Sequence, residues 1–266
     1  MGRPKTKVLT FVLPAITGVL FLALWYGVRA MMTADQRFLL PSPVEVLSAF
    51  REHGSILLRA SLNTFEGALI GFTAAISISL VLALVLSLSS LVRASLYPYL
   101  MLLQMTPVIV LAPIILQWAR PGLPSVSVIT FLICFFPMVV NTTQGLISTD
   151  RNLLDLFRLY GADKRQEMWL LRLPSALPYF FTGLRIAATL GPIGAIMGDF
   201  TAGSSAGDGG GLGFQAIIFS SQLKMAALFA TALTGCLLGF IFVAVAVILG
   251  WWTLHRWHDS YRTTDT

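Results

Sequence analysis

Few groups in this 266-residue chain could do covalent or acid–base chemistry. Its histidines are His53, His255 and His258, and its two cysteines are Cys134 and Cys236. There is no H-E-x-x-H motif and no carboxylate cluster beside a histidine, so a metal ion has no ligand set. Both cysteines lie within long apolar runs and read as thiols buried in helices. Two cysteines supply neither a disulfide framework nor a metal spacing. None of the four lysines, Lys5, Lys7, Lys164 and Lys224, follows a glycine. The loop G-x-x-x-x-G-K-[ST], whose amides and lysine cradle nucleotide phosphates, is therefore missing. No nucleophile stands with a base. What remains is a set of polar residues inside apolar runs, Glu66, Gln104, Asn141, Gln144 and Asp199, and one charged stretch. Residues 155–178, DLFRLYGADKRQEMWLLRLPSALP, hold Asp155, Arg158, Asp163, Lys164, Arg165, Glu167 and Arg172, close to a quarter of the chain's charge.

The elements that must position these groups follow from composition. The chain is 56% hydrophobic and 11% charged, with a mean hydropathy of +0.80. Soluble domains carry about 25% charged residues, and no soluble fold of this length could hide so much apolar surface. The fold class expected is all-α, a polytopic protein surrounded by membrane lipid. The net charge of +6 raises the question of nucleic acid. The basic residues instead sit between apolar runs, where they set topology, without interleaved aromatics, so no nucleic-acid partner is expected.

Six apolar stretches approach or exceed the roughly twenty residues a spanning helix needs, at 8–29, 63–89, 97–118, 125–147, 179–200 and 226–252. Pro107, Pro113, Pro137 and Gly191-Pro192 interrupt three of them. Kinks at these points serve either packing or a pathway. The first run, Val8 to Val28, exceeds the about 7–15 residues of a signal-peptide core, so it reads as an uncleaved span. MGRPKT also fits a myristoylation pattern, one short enough to arise by chance. Lys and Arg divide twelve to six between the two sides. Arg3, Lys5, Lys7, Arg93, the five in 148–178, Arg185 at a helix entry, Arg256 and Arg262 lie on the richer side. That side is expected to be cytoplasmic, with both termini and the loop 148–178 on it. Outside, LPSPVEVLSAFREHGSILLRAS reads as a short amphipathic helix along the membrane surface. The glycine-rich 203–213 is a second outside segment, either a flexible loop or an outer gate.

The charged stretch parses as two short helices around a turn. Leu153, Leu154, Leu156, Phe157 and Tyr160 share a face at helical spacing. Gly161 suits a left-handed stop, and Asp163 with Gln166 forms a capping-box-like start. Met168, Trp169, Leu170 and Leu171 follow, and Pro174 is expected to end the second helix. An ordinary amphipathic loop and a docking element for a partner's groove both fit this pattern.

Asp155-Leu-Phe-x-x-x-Gly161, nine residues, then Leu171-x-Leu173-Pro174 resembles the cytoplasmic E-A-A-x3-G-x9-I-x-L-P loop of binding-protein-dependent ABC importer permeases. Asp155 stands for the Glu, and Leu156-Phe157 replace two alanines, which changes the surface offered to a partner. Thr106-Pro107 with Ala112-Pro113, Phe136-Pro137-x3-Asn141-Thr142-x2-Gly145-Leu146, Leu173-Pro-x-Ala-Leu-Pro178-x4-Gly183-Leu-Arg185 and Leu39-Pro41-Ser42-Pro43 are similar to the family too. Together they cover about residues 39–255, most similar to the branch for nitrate, sulfonates, taurine and pyrimidine-type vitamin precursors.

The resemblance implies a single permease domain in a bacterial inner membrane, pairing with a second copy as a homodimer. It implies two cytosolic ATPase subunits that hold ATP and Mg, and an extracytoplasmic substrate-binding protein, with no cofactor, metal or catalysis on this chain. On it, Asp155, Arg158, Tyr160, Gly161, Lys164, Arg165, Met168, Trp169, Leu173 and Pro174 are the ATPase-docking residues, with Met168 and Trp169 as apolar anchors. Gln104, Asn141, Asp199 and Glu66 are the pathway candidates, and Gly211 and Gly213 belong to the outer gate loop. A secondary transporter driven by an ion gradient is the alternative. It predicts internal repeats and paired ionisable groups near the midplane, and neither is evident.

Overall fold

The computed structural model describes residues 4–202 and 210–254, with side chains from residue 12 to 202 and from 210 to 253. Arg3, His255, Arg256, His258, Arg262, the side chains of Lys5 and Lys7, and the glycine-rich stretch 203–209 lie outside the described residues. Among the described residues all regular structure is helical. The helices are α1 (Pro4–Met31), α2 (Pro43–Leu88), α3 (Ser90–Gln104), α4 (Val108–Ala119), α5 (Leu123–Ile147), α6 (Arg151–Leu159), α7 (Lys164–Gln166), α8 (Leu173–Ala202), α9 (Leu212–Ser221) and α10 (Met225–Leu254). Five helical segments are long and apolar enough to cross a membrane, and α3 with α4 make a sixth if the pair counts as one span.

The chain departs from the sequence expectation in three places. The helix expected along the membrane surface is not a separate element. It is the first part of α2, which runs unbroken for 46 residues. A full capping box starts it: the Glu45 amide donates to Ser42 Oγ and the Ser42 amide donates to Glu45 Oε2, with Pro43 in the first turn. No Gly-Pro or Pro lies between Pro43 and Leu88 to break it. The stretch 97–118 is not one helix. It divides at Met105-Thr106-Pro107 into α3 and α4, whose axes differ by 97°. Proline biases the residue before it out of the helical region, and Pro107 itself is extended at ψ 100°. Pro174 does not end a helix: it lies in the first turn of α8, which continues the preceding turn without a break.

The core is α5 flanked by α2 and α8. Gly67 lies against Val126, Gly71 against Ser127 and Thr130, and Leu86 clusters with Phe136 and Val139. These pairings advance together, so α2 and α5 run in the same direction. Residues 89–122 must then carry the chain back from the end of α2 to the start of α5, and α3 and α4 together form one broken crossing. On the other flank Ala176 meets Gly145, Gly183 meets Asn141, Gly194 meets Thr130 and Gly198 meets Val126, an antiparallel pairing. A Cβ on Gly67 would sit 2.6 Å from Val126 Cγ1, and one on Gly198 2.9 Å from Val126 Cα. Small residues let these backbones approach, which is how helices gain packing energy in lipid. α10 closes the bundle through Phe242, which meets Phe65 and Phe72 edge-on. α1 stands apart, held at its end by the Arg29–Glu45 ion pair at 2.8 Å and by Trp25 Nε1 donating to the Pro41 carbonyl.

Candidate functional sites

At one end of the bundle the chain leaves α5 and forms the charged stretch. Asp150 caps α6, its carboxylate accepting from the Asn152 amide at 2.8 Å. The helix stops at Gly161, whose φ is +76°. Gly161 N–H donates to the Arg158 carbonyl and Ala162 N–H to that of Phe157, the two bonds of a Schellman close. A Cβ at Gly161 would meet nothing within 4 Å, so glycine is needed there for its backbone angle and not for space. Asp163 then caps α7 reciprocally with Gln166.

The second helix does not end at Pro174. Residues Glu167–Arg172 form a π-helical turn, and helix continues through Leu173 into α8. Leu173 N–H donates five residues back to Met168. The widened turn relieves the clash a proline ring makes with the carbonyl four residues earlier. It also sets Glu167 and Arg172, five apart, on one side, where Arg172 Nε donates to Glu167 Oε1 at 2.8 Å. Arg158 of α6 approaches the same carboxylate at 3.6 Å and Asp155 at 3.7 Å. Glu167 is buried. The loop and the membrane helix are thus one continuous element, joined to α6 by a shared carboxylate.

The turn also sorts the apolar residues. Met168 and Leu173 face inward against Ala83, Leu146 and Ala176. Met168 is therefore part of the support, not a projecting anchor. Leu159, Tyr160, Trp169 and Leu170 face outward and are 83%, 82%, 70% and 66% exposed. Lys164, Arg165 and Pro174 are exposed beside them. Leu156 is exposed and Phe157 half-buried, while Arg158 is engaged within the loop. This end offers an apolar patch rimmed by cations, a surface suited to protein contact. The sequence reading did not place Glu167, Leu159 or Leu170 among the site residues. A carboxylate and an arginine five apart carry no signal until a π-turn is known.

At the opposite end, Asp199 in α8 is 4% exposed. Thr64 Oγ1 of α2 donates to its Oδ2 at 2.6 Å, and the Gly213 backbone contributes a further hydrogen bond. The Leu212 amide donates to Thr64 Oγ1 at 2.8 Å, and Asn63 Nδ2 donates to the Gly210 carbonyl. Asp199 thus lies at the N-terminus of α9, against the amides of its first turn. There is no room around it. A Cβ on Gly211 would collide with the Asp199 carboxylate, and one on Gly213 with the Ile196 carbonyl.

The remaining pathway candidates do not join this cluster. Glu66 is exposed on α2, Gln104 is exposed at the end of α3, and Asn141 is half-buried with Nδ2 donating to the Pro137 carbonyl. Arg185, expected at a helix entry, lies well inside α8. Among the described residues no group of three His, Cys, Asp or Glu could hold a metal ion.

Comparison with known proteins agrees with this architecture. Residues 67–253 match the family model described as binding-protein-dependent transport system inner membrane component. The chain is 34% identical over 244 residues to the formylaminopyrimidine transport permease protein ThiX of Halalkalibacterium halodurans, covering 90% of this chain and 95% of that protein. It is 32% identical over 244 residues to a probable ABC transporter permease protein of Haemophilus influenzae, covering 91% and 94%. The nitrate import permease protein NrtB of Synechocystis is 26% identical over 212 residues, covering 76% and 74%.

Proposed function

The chain belongs to the family of binding-protein-dependent transport system inner membrane components, and from that premise we propose how its parts work. It is a multi-pass, non-catalytic permease subunit of an ABC importer, and ATP hydrolysis belongs to a separate subunit. A substrate-binding protein is its other partner. Two copies form a homodimer around a single solute pathway, and each docks one ATPase subunit, holding ATP and Mg, on its 148–178 loop. The loop and both termini face the cytoplasm, which the Lys and Arg distribution and the six crossings support.

The observation carrying this reading is the continuity of residues 164–202. A docking surface whose backbone runs through a π-turn into a membrane helix can pass a rigid-body displacement to the pathway. Trp169, Leu170, Leu159 and Tyr160 form the contact, Lys164 and Arg165 its rim, and Asp155 and Arg158 hold α6 in place. Kinked α3–α4 and α8 alternate between two arrangements, with Glu66, Gln104 and Asn141 along the route. The junction of Asp199 with Gly211 and Gly213 is the pivot of the outer gate. The solute is small and polar, a nitrate-like or sulfonate-like anion or a pyrimidine vitamin precursor, as the relatives' names indicate.

Changing Trp169 and Leu170 together to alanine tests the contact. Interface aromatics cost about 2 kcal/mol or more when truncated, so the ATPase should bind roughly thirtyfold more weakly. Pull-down of the ATPase with detergent-solubilised permease measures this. Undiminished capture would remove the loop as the docking site.

A further inference from the structure

Arg185 is the one charged residue on the exposed faces of the bundle that lies deep within it and has no partner among the described residues. Its depth is fixed by its neighbours. Gly183, two residues before it, packs on Asn141, and Cys134 Sγ contacts the Ala187 carbonyl two residues after it. Arg185 therefore lies between the levels of Asn141 and Cys134 on α5, more than about 9 Å from the end of that helix at 1.5 Å per residue. On α10, Gly250 packs on Phe181, one turn below it. The side chain is exposed and makes no hydrogen bond or ion pair with any described residue. Facing acyl chains, a guanidinium costs about 2.5–3.5 kcal/mol or more at the centre of a span and less toward its ends. Exposure in one copy therefore indicates a polar surrounding outside that copy.

The surface above it shows where that surrounding leads. Thr189, one turn further along the same face of α8, is exposed, and its hydroxyl is tied back to the Arg185 carbonyl at 3.0 Å. Thr189, Ile193, Ile196 and Phe200 then line one wall of a groove of about 480 Å³. α9 and α10 form the other wall with Leu212, Leu228 and Gly235. The groove is apolar throughout and ends one turn short of Arg185. Cβ vectors on a helix lean toward its N-terminus, so the Arg185 side chain extends from below the groove toward the loop end of α8.

We propose that this face of α8 lines the water-filled solute pathway and that Arg185 is its selectivity cation, met by an anionic group of the solute, carboxylate, sulfonate or oxyanion. The proposal rests on the permease reading above. Apolar walls with one cation and no further donors concentrate an anion without holding it tightly. That is what passage requires, since a low-dielectric wall around a single charge focuses its field.

The test uses charged thiol reagents and no transported solute. In a Cys134→Ser, Cys236→Ser background, Thr189→Cys is labelled in the full chain assembled with its ATPase in vesicles, both without ATP and with ATP trapped. The probes are an anionic sulfonatoethyl and a cationic trimethylammonioethyl methanethiosulfonate, each normalised to its rate with a free thiol. Thr189→Cys should react in at least one of the two states, with the anion favoured about tenfold. Arg185→Met should bring that ratio to about one, and Arg185→Lys should retain most of it. Where the methionine variant does not assemble, Arg185→Gln gives the same reading. Phe240→Cys and Ile248→Cys, outward on α10, should stay unlabelled. A Thr189→Cys silent in both states overturns the proposal, even if Arg185→Cys reacts, because the arginine would then be reaching headgroups from lipid. A charge ratio that survives Arg185→Met overturns it too. The same samples report ATPase association. Its loss counts against the permease reading, and its retention with failed labelling counts against Arg185 alone.

Discussion

The two ends of this protein are built from the same residue types with opposite logic. The loop end has a glycine and an acid at helix termini, and so does the end with Asp199. At Gly161 the glycine is open on all sides and the backbone demands it, with φ at +76°. At Gly211 the backbone is extended, with φ −90° and ψ −170°, and the space demands the glycine. Carboxylates divide the same way. Glu167 gathers two arginines at the edge of water, whereas Asp199 is enclosed by the Thr64 hydroxyl and the Gly213 backbone. The first end turns its apolar side chains outward, and the second encloses Asp199 and Thr64. An exposed apolar patch with cations at its edge suits contact with another protein, and a joint that holds three helices at fixed spacing is kept tight.

The largest effect should come from filling the tight end. Gly213→Val forces a branched side chain into the Ile196 carbonyl and against Asp199. Overpacking typically costs about 1–3 kcal/mol, and a backbone obstruction more. The variant should lose its folded, monodisperse peak in detergent gel filtration, while Thr64→Val should lower the melting midpoint less. A Gly213→Val protein as stable as the parent would end the contrast between the two ends.

Gly161→Val should be smaller in stability and larger in function. A β-branched residue at positive φ costs roughly 1–2 kcal/mol, with no clash to add. Membrane insertion and the melting midpoint should change little, while ATPase capture falls because α6 is misdirected. Gly161→Asn, which tolerates the left-handed region, should restore capture. If valine and asparagine behave alike, backbone angle is not what the position selects.

The smallest effect should come from the rim. Lys164→Ala with Arg165→Ala removes exposed charges, each pair worth about 0–1 kcal/mol. ATPase capture should weaken a few-fold at low salt and barely at all near 0.5 M salt, where screening is short-ranged. Equal losses at both salts would show that these residues are buried by the partner.

Much of this was legible in the chain. The spans follow from hydropathy, because lipid accepts little else. Gly161 and the Asp163–Gln166 box were legible because they are local, each motif closing within a few residues. The π-turn was not, since Pro174 reads as a stop unless hydrogen bonds can shift by one residue. Nor was the inward turn of Met168 away from Trp169, because adjacent residues differ by only about 100° and the face is chosen by what lies beneath. Asp199 was visible as an acid near a span's end, but its partner Thr64 is 135 residues away.

By itself, then, the sequence determined the solvent this protein lives in, its helical class, its charged loop and the family to which that loop's spacing belongs, because apolar length and local turn chemistry need no distant partner. Tertiary structure alone decided which glycine serves angle and which serves space, which carboxylate is a tie, and that Arg185 stands exposed well inside α8 with no partner among the described residues. Those properties depend on what other helices bring within a few ångströms, and in lipid such approach is set by small residues meeting across helices far apart in the chain.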